Sequence, residues 1–404
     1  MSLARRKTDV FKWIGFSIVF CFSLFIFHWE HQFINTDLQV HARLASEFDF
    51  MDFHSISQRL AYPLWHVFTA LLFQLGVPLA WAASIVSTLF KMAGMFVVWH
   101  LIRKSTDDSV SDCLVSVATF LLMFITGICI PDINLHVYRP IGSPTVWHNP
   151  TQITVIVTTL ICIPLIASYI NEFIKRRDSG ETKITLSSKK IVILTLLLLV
   201  NVVSKPTFLQ AAIPATALFF LIHWILNIKE WRFFLQIILA FLPATLLLLM
   251  QFLYYTGVIV PYTSGIKIFI SDVSFTQTMR NVLMMNAFPF FTLVACYKKG
   301  LFKNQQLLLI LLIVAVAAFE AMTFHETGVR EGHGNFFWAG MSMSLVFFVF
   351  TISLYLQTMV DYFKNKHRKL NRGILLTLDS LFLLWHVFSG FYYVYDLLSR
   401  SAAF

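Results

Sequence analysis

The chain has 404 residues, 57% of them hydrophobic and 13% charged, with a mean hydropathy of +0.72. Soluble domains carry about 25% charged residues, so this composition excludes a soluble enzyme, a nucleic-acid-binding domain and a disordered chain. The net charge of +10 is accordingly read through membrane topology, with no nucleic acid as partner.

A spanning helix needs about 20 apolar residues. On that measure the chain predicts an all-α, polytopic membrane bundle of about 11 transmembrane helices, forming one transmembrane domain over 1–404. The predicted spans lie near 11–29, 79–102, 110–130, 151–171, 190–204, 207–227, 233–255, 279–297, 305–323, 338–359 and 374–395. The first run lacks a small-residue cleavage site and is read as a retained helix, not a signal peptide. Placing the N-terminus in the cytoplasm puts 22 of the 31 Lys and Arg residues inside, with the C-terminus outside. This register requires the segment from Tyr62 to Gly76, too short to span, to lie along the outer interface as an amphipathic helix. The five cysteines are scattered through apolar runs and read as packing thiols. Lys91 and Asp379, expensive inside a bilayer, are expected to neutralise each other.

Chemistry-bearing residues gather in the predicted outer loops. The first, within 30–78, holds Asp37 eight residues after the first span, with His41 four residues on and so on the same face of a helix. The second, 131–150, carries Asp132, Arg139 and His148. Lys205 precedes a proline between two short spans, where an ammonium can meet a phosphate. The late loop, 324–337, contains Arg330 and His333 among glycines that allow close wrapping of a ligand. No HxxxH or HExxH pair marks a dedicated zinc site. A divalent cation on the acidic residues is left open, and no other cofactor is expected.

A first span, a long outer loop with an early acidic residue, a proline-led interfacial segment (Tyr62-Pro63-Leu64-Trp65-His66), and Gly76 before the second span together resemble the GT-C superfamily. Asp132 in the second outer loop extends the likeness. These are integral-membrane glycosyltransferases that take sugars from polyprenyl-phosphate donors. Two details depart from the usual pattern. The first loop reads Asn35-Thr36-Asp37-Leu38 without an Asp-Glu or Asp-x-Asp pair, and a single Pro63 stands where Pro-Pro is usual. The resemblance implies inverting transfer to a glycan or lipid acceptor of the cell envelope. Asp37 would then be the general base and Asp132 a second candidate or cation ligand. Lys205 and Arg330 would neutralise the leaving phosphate, with Arg139 among the binding residues and His41, His148 and His333 orienting substrate.

Three rivals are weighed. A polysaccharide polymerase or ligase of the same pathways shares the donor chemistry and differs in its acceptor. A transporter or flippase predicts internal repeats and mid-bilayer polar breaks, neither of which the sequence displays. A non-catalytic membrane subunit predicts that the acids and cations do not converge. The first outer loop has no Asn-x-Ser/Thr site and the loops are small, which points to a bacterial plasma membrane.

Overall fold

In hydrocarbon an open backbone N–H or C=O finds no partner, so long apolar runs fold as helices. The computed structural model describes residues 3–52, 62–134, 142–255, 265–328, 334–365 and 369–399. In chain order the helices begin with α1 (Leu3–Phe33), α2 (Asp37–Ser46), α3 (Leu64–Gln74), α4 (Leu79–Ser105), α5 (Asp112–Leu122) and the single turn α6 (Pro131–Asn134). They continue with α7 (Pro150–Asp178), α8 (Ser188–Ser204), α9 (Thr207–Ile225) and α10 (Trp231–Tyr255). Strand β1 (Gly265–Ile268) precedes α11 (Asp272–Met285), α12 (Ala287–Ala295) and α13 (Gln305–Thr323). Strand β2 (Phe324–Thr327) then leads to α14 (Trp338–Lys364) and α15 (Leu370–Leu398).

Eight of these helices, α1, α4, α7, α9, α10, α13, α14 and α15, are long and apolar enough to cross a membrane. The protein is thus an all-helical, multi-pass membrane bundle, with one two-stranded ribbon that the sequence reading did not contain. Helices α14 and α7 form its interior: 83% and 72% of their apolar windows are buried, against 28% for α1. Around them α1 packs on α4 and α5, α8 on α7 and α10, α9 on α13, and α12 on α14 and α15.

The other three predicted spans are shorter, each for a local reason. At 279–297 the helix breaks at Asn286. Pro289 sits in the first turn of α12, where its missing N–H costs nothing, but its ring would clash with the carbonyl of Met285 if α11 continued. At 110–130 only α5 is helical. Beyond Met123 the chain extends beside α15, and its amides find partners there and on α11: Thr126 N donates to His386 O, Cys129 N to Ser389 Oγ, and Ile128 N to Met284 O. Gly390 permits this approach, since a Cβ at that position would overlap the Phe124 carbonyl. The span at 190–204 is the 17-residue α8.

The expected Lys91–Asp379 pair does not form. Lys91 Nζ lies 3.9 Å over the Trp147 ring and 3.4 Å from Val146 O, whereas Asp379 Oδ1 accepts from Thr292 Oγ1 at 3.0 Å. Each buried charge has found a partner nearer in space than the other. A ring face and a carbonyl meet Lys91, and one threonine hydroxyl meets Asp379.

The two ends of the bundle differ in chemistry. At one end basic and acidic side chains pair at the surface: Arg103 with Asp108 and Asp112, Arg176 with Glu181, and Lys298 with Asp361. These are exposed pairs of about 0–1 kcal/mol each. The opposite end holds a buried polar group built on His66, His148, Asn149 and Lys205.

Candidate functional site

At that opposite end four chain segments meet: the start of α2, the loop before α7, the junction of α8 with α9, and the start of α14. Position is set first by capping. Thr36 is the N-cap of α2, accepting from Leu38 N, and its hydroxyl donates to the buried Glu30 carboxylate at 2.5 Å. This ties the first turn of α2, and therefore Asp37, to the end of α1. Asn149 is the N-cap of α7, with Pro150 at the first helical position, the pairing of cap and proline that opens a helix most readily.

The Asn149 side chain is the centre of the site. Its Oδ1 accepts from Gln152 N at 2.9 Å and from Lys205 Nζ at 3.2 Å. That fixes the amide the other way round toward α2, where Nδ2 donates to Asp37 Oδ2 at 2.6 Å. One amide therefore spaces a carboxylate from an ammonium without letting them collapse into an ion pair. Lys205 also lies 3.8 Å over the Trp338 ring, an attraction of about 2 kcal/mol when water is excluded. The lysine is 4% exposed. Burial pushes its ammonium down to about 7, and the Asp37 charge works against that shift.

Histidines complete the wall. His41 Nδ1 and His66 Nε2 are 2.9 Å apart, sharing one proton, and His148 Nδ1 pairs with the Tyr393 hydroxyl at 2.6 Å. Burial lowers His41 to about 3, helped by the Lys205 charge. It lowers His148 to about 3 as well, against the pull of Asp37. These rings are neutral near pH 7 and act as hydrogen-bonding groups, not as acids.

Lys205 also lines a cavity of about 780 Å³ between α9, α10, α13 and the β ribbon. Most of its wall is apolar, and at its rim Leu249, Phe252 and Ile268 are exposed to the surroundings of the bundle. Glu326, on β2, accepts from Asn335 N and Nδ2 at that rim. The ribbon's register, Gly265 opposite Thr327 and Ile268 opposite Phe324, carries β1 and β2 together along one side of the cavity.

Of the predicted site residues, Asp37, His41, His148 and Lys205 come together. Asp132 is exposed on α6, and among the described residues no hydrogen bond or ion pair connects it to Asp37. Arg139, Arg330 and His333 lie outside the described residues. The sequence places Asn149 among the polar residues of the second outer loop without giving it a role, although Asn-Pro ahead of an apolar run is a helix-start signal. It gives none to His66, Tyr393 and Trp338, which carry no local signature. Glu320, a single carboxylate within the apolar run of α13, did carry one. Among the described residues no cluster of three or more His, Cys, Asp or Glu side chains has the arrangement of a metal site.

Replacement of Asn149 by alanine tests its double duty. The lost cap should cost about 1 kcal/mol, and the unsatisfied Lys205 and Asp37 groups about 1–3 kcal/mol more. We expect a lowered thermal midpoint in detergent. An unchanged midpoint would show that Asn149 neither caps α7 nor holds the two charges.

Compared with known proteins, the chain matches no family model and no curated sequence.

Proposed function

We propose that the protein is a membrane glycosyltransferase of the GT-C type, moving a sugar from a polyprenyl-phosphate donor to an acceptor at the outer face. The observation that carries this reading is the placement of Lys205. Lys205 lines a mostly apolar cavity with an exposed apolar rim, and one amide separates its ammonium from a carboxylate. A lipid phosphate needs that combination: hydrocarbon contact for the tail, a cation for the phosphate, and a base near the carbon under attack.

In this reading the polyprenyl tail lies in the bilayer against the rim, and the donor phosphate meets Lys205. The acceptor hydroxyl gives its proton to Asp37 as its oxygen bonds to the anomeric carbon. The bond from that carbon to the phosphate oxygen breaks, and the electron pair leaves with the polyprenyl phosphate, whose charge Lys205 balances. A single displacement of this kind inverts the anomeric centre. His41 and His148, neutral, orient hydroxyl groups.

The topology belongs to the same proposal. The end rich in exposed Lys and Arg lies in the cytoplasm, and the Asp37–Lys205 end faces outward. The three shorter helical segments cross along with the eight long helices, giving eleven passes, and α3 lies along the outer interface. The membrane is a bacterial plasma membrane, and the acceptor a growing envelope glycan or glycolipid.

Purified protein incubated with a panel of polyprenyl-phosphate sugars and candidate acceptors should consume at least one donor and release free polyprenyl phosphate. Failure to consume any, in lipid nanodiscs where the protein is folded, would remove the transferase reading.

A further inference from the structure

The cavity contains a carboxylate that the scheme above leaves unused. Glu320, one turn from the end of α13, is 7% exposed and lines the cavity. Its Oε2 is enclosed and, among the described residues, receives no hydrogen bond. Across the cavity on α9, Gln210 presents an Oε1 in the same condition. Pro214, also on the wall, lacks the N–H that would bond the Gln210 carbonyl, so the helix ladder is open at that residue too. Thr207, in the first turn of α9, adds an enclosed hydroxyl with no partner among the described residues.

Unsatisfied buried acceptors are costly, about 1–3 kcal/mol each and more for a charged group. A carboxylate within an apolar span marks a functional site by default. The acceptors here belong to two different helices and face one space. A ligand that satisfies them must bring several donors spread over a ring-sized body and must also bear the anion that Lys205 calls for. Gln210 lies in the first turn of α9, five residues after Lys205, and the two line the same cavity, so one ligand can meet both.

We propose that Glu320, with Gln210, seats the hydroxyl groups of the donor's sugar and thereby selects the sugar. The inference rests on the transferase reading and extends it. Hydrogen bonds between the sugar hydroxyls and the Glu320 carboxyl group hold the ring, and a tail without a sugar leaves these polar atoms unmet. Glu320 is a specificity residue in this scheme and takes no part in proton transfer.

The test compares two ligands on the intact protein in nanodiscs: bare polyprenyl phosphate, and the same lipid carrying a hexose consumed by the wild type. Glu320→Ala should weaken binding of the glycosylated lipid by about tenfold or more and leave the bare lipid unchanged. Glu320→Gln, which keeps an acceptor oxygen, should fall between. Equal weakening of both ligands, or of neither, would overturn the proposal. So would loss of an amine-headed phospholipid in both variants without any effect on the glycosylated lipid, which would make Glu320 an ammonium site. If the wild type binds bare polyprenyl phosphate yet consumes no glycosylated form, the transferase reading fails, and the sugar-seating role fails with it.

Discussion

Asp37→Asn should reduce sugar transfer by about 10²–10⁴-fold, the range contributed by a positioned general base, with donor binding retained. The substitution is conservative in shape and in contact. An asparagine oxygen at position 37 still accepts from Asn149 Nδ2, so the 2.6 Å contact that ties α2 to the start of α7 survives. The ability to take a proton is lost, and with it the charge that supports the Lys205 ammonium, so donor binding is compared below pH 7, where Lys205 keeps its proton. The loss should therefore fall on kcat, and the melting temperature should stay near that of the wild type. Transfer at the wild-type rate would take Asp37 out of the chemistry. Lost transfer accompanied by lost donor binding would reassign it to substrate positioning. Asp132→Asn is the natural companion, since Asp132 is exposed and, among the described residues, unconnected to this network; it should leave the rate unchanged.

Lys205→Met should be as damaging, and at a different step. Removing a buried cation that meets a phosphate costs about 2–5 kcal/mol, so affinity for polyprenyl phosphate should fall by about 30-fold or more. The pH dependence gives a sharper signature. Burial holds the Lys205 ammonium near 7, well below its ordinary range. Below that value the free protein presents a cation and binds the phosphate. As pH rises through about 7 the amine loses its proton and affinity should decline. Stability should move in the opposite sense. Between about 7 and the ordinary lysine value the unfolded chain binds a proton that the folded chain does not, so the free protein gains stability as pH rises. Lys205→Arg keeps its charge at every accessible pH, and its affinity for the glycosylated donor, a phosphodiester of constant charge, should be flat across the same interval; the wild type is compared on that donor. Wild-type affinity that is flat through pH 7 would show that Lys205 does not meet the phosphate.

Hydropathy made the bundle legible. An apolar run of sufficient length has one way to satisfy its backbone, so the eight long helices follow from composition. The shorter segments were less legible because their ends are set by tertiary partners. Nothing local in 123–130 announces that its amides bond across to Ser389, His386 and Met284. The same limit governed the charges. Lys91 and Asp379 look like mutual partners only while a neighbouring indole and a threonine hydroxyl are out of view. At the site, Asp37 and Lys205 stood out because a charge at the edge of an apolar run is conspicuous. The Asn149 amide between them did not: its role depends on two segments, 112 and 56 residues away in sequence, arriving on either side of it. Glu320 was conspicuous in the same way as Lys91, a lone charge in a span, and deserved the same weight.

The strands β1 and β2 flank the cavity with main-chain bonds that do not depend on the identity of the side chains they carry, proline excepted. Under the transferase reading, a ligand already dissolved in the bilayer would reach the cavity past the exposed Leu249, Phe252 and Ile268, with this stitched hem alongside its path.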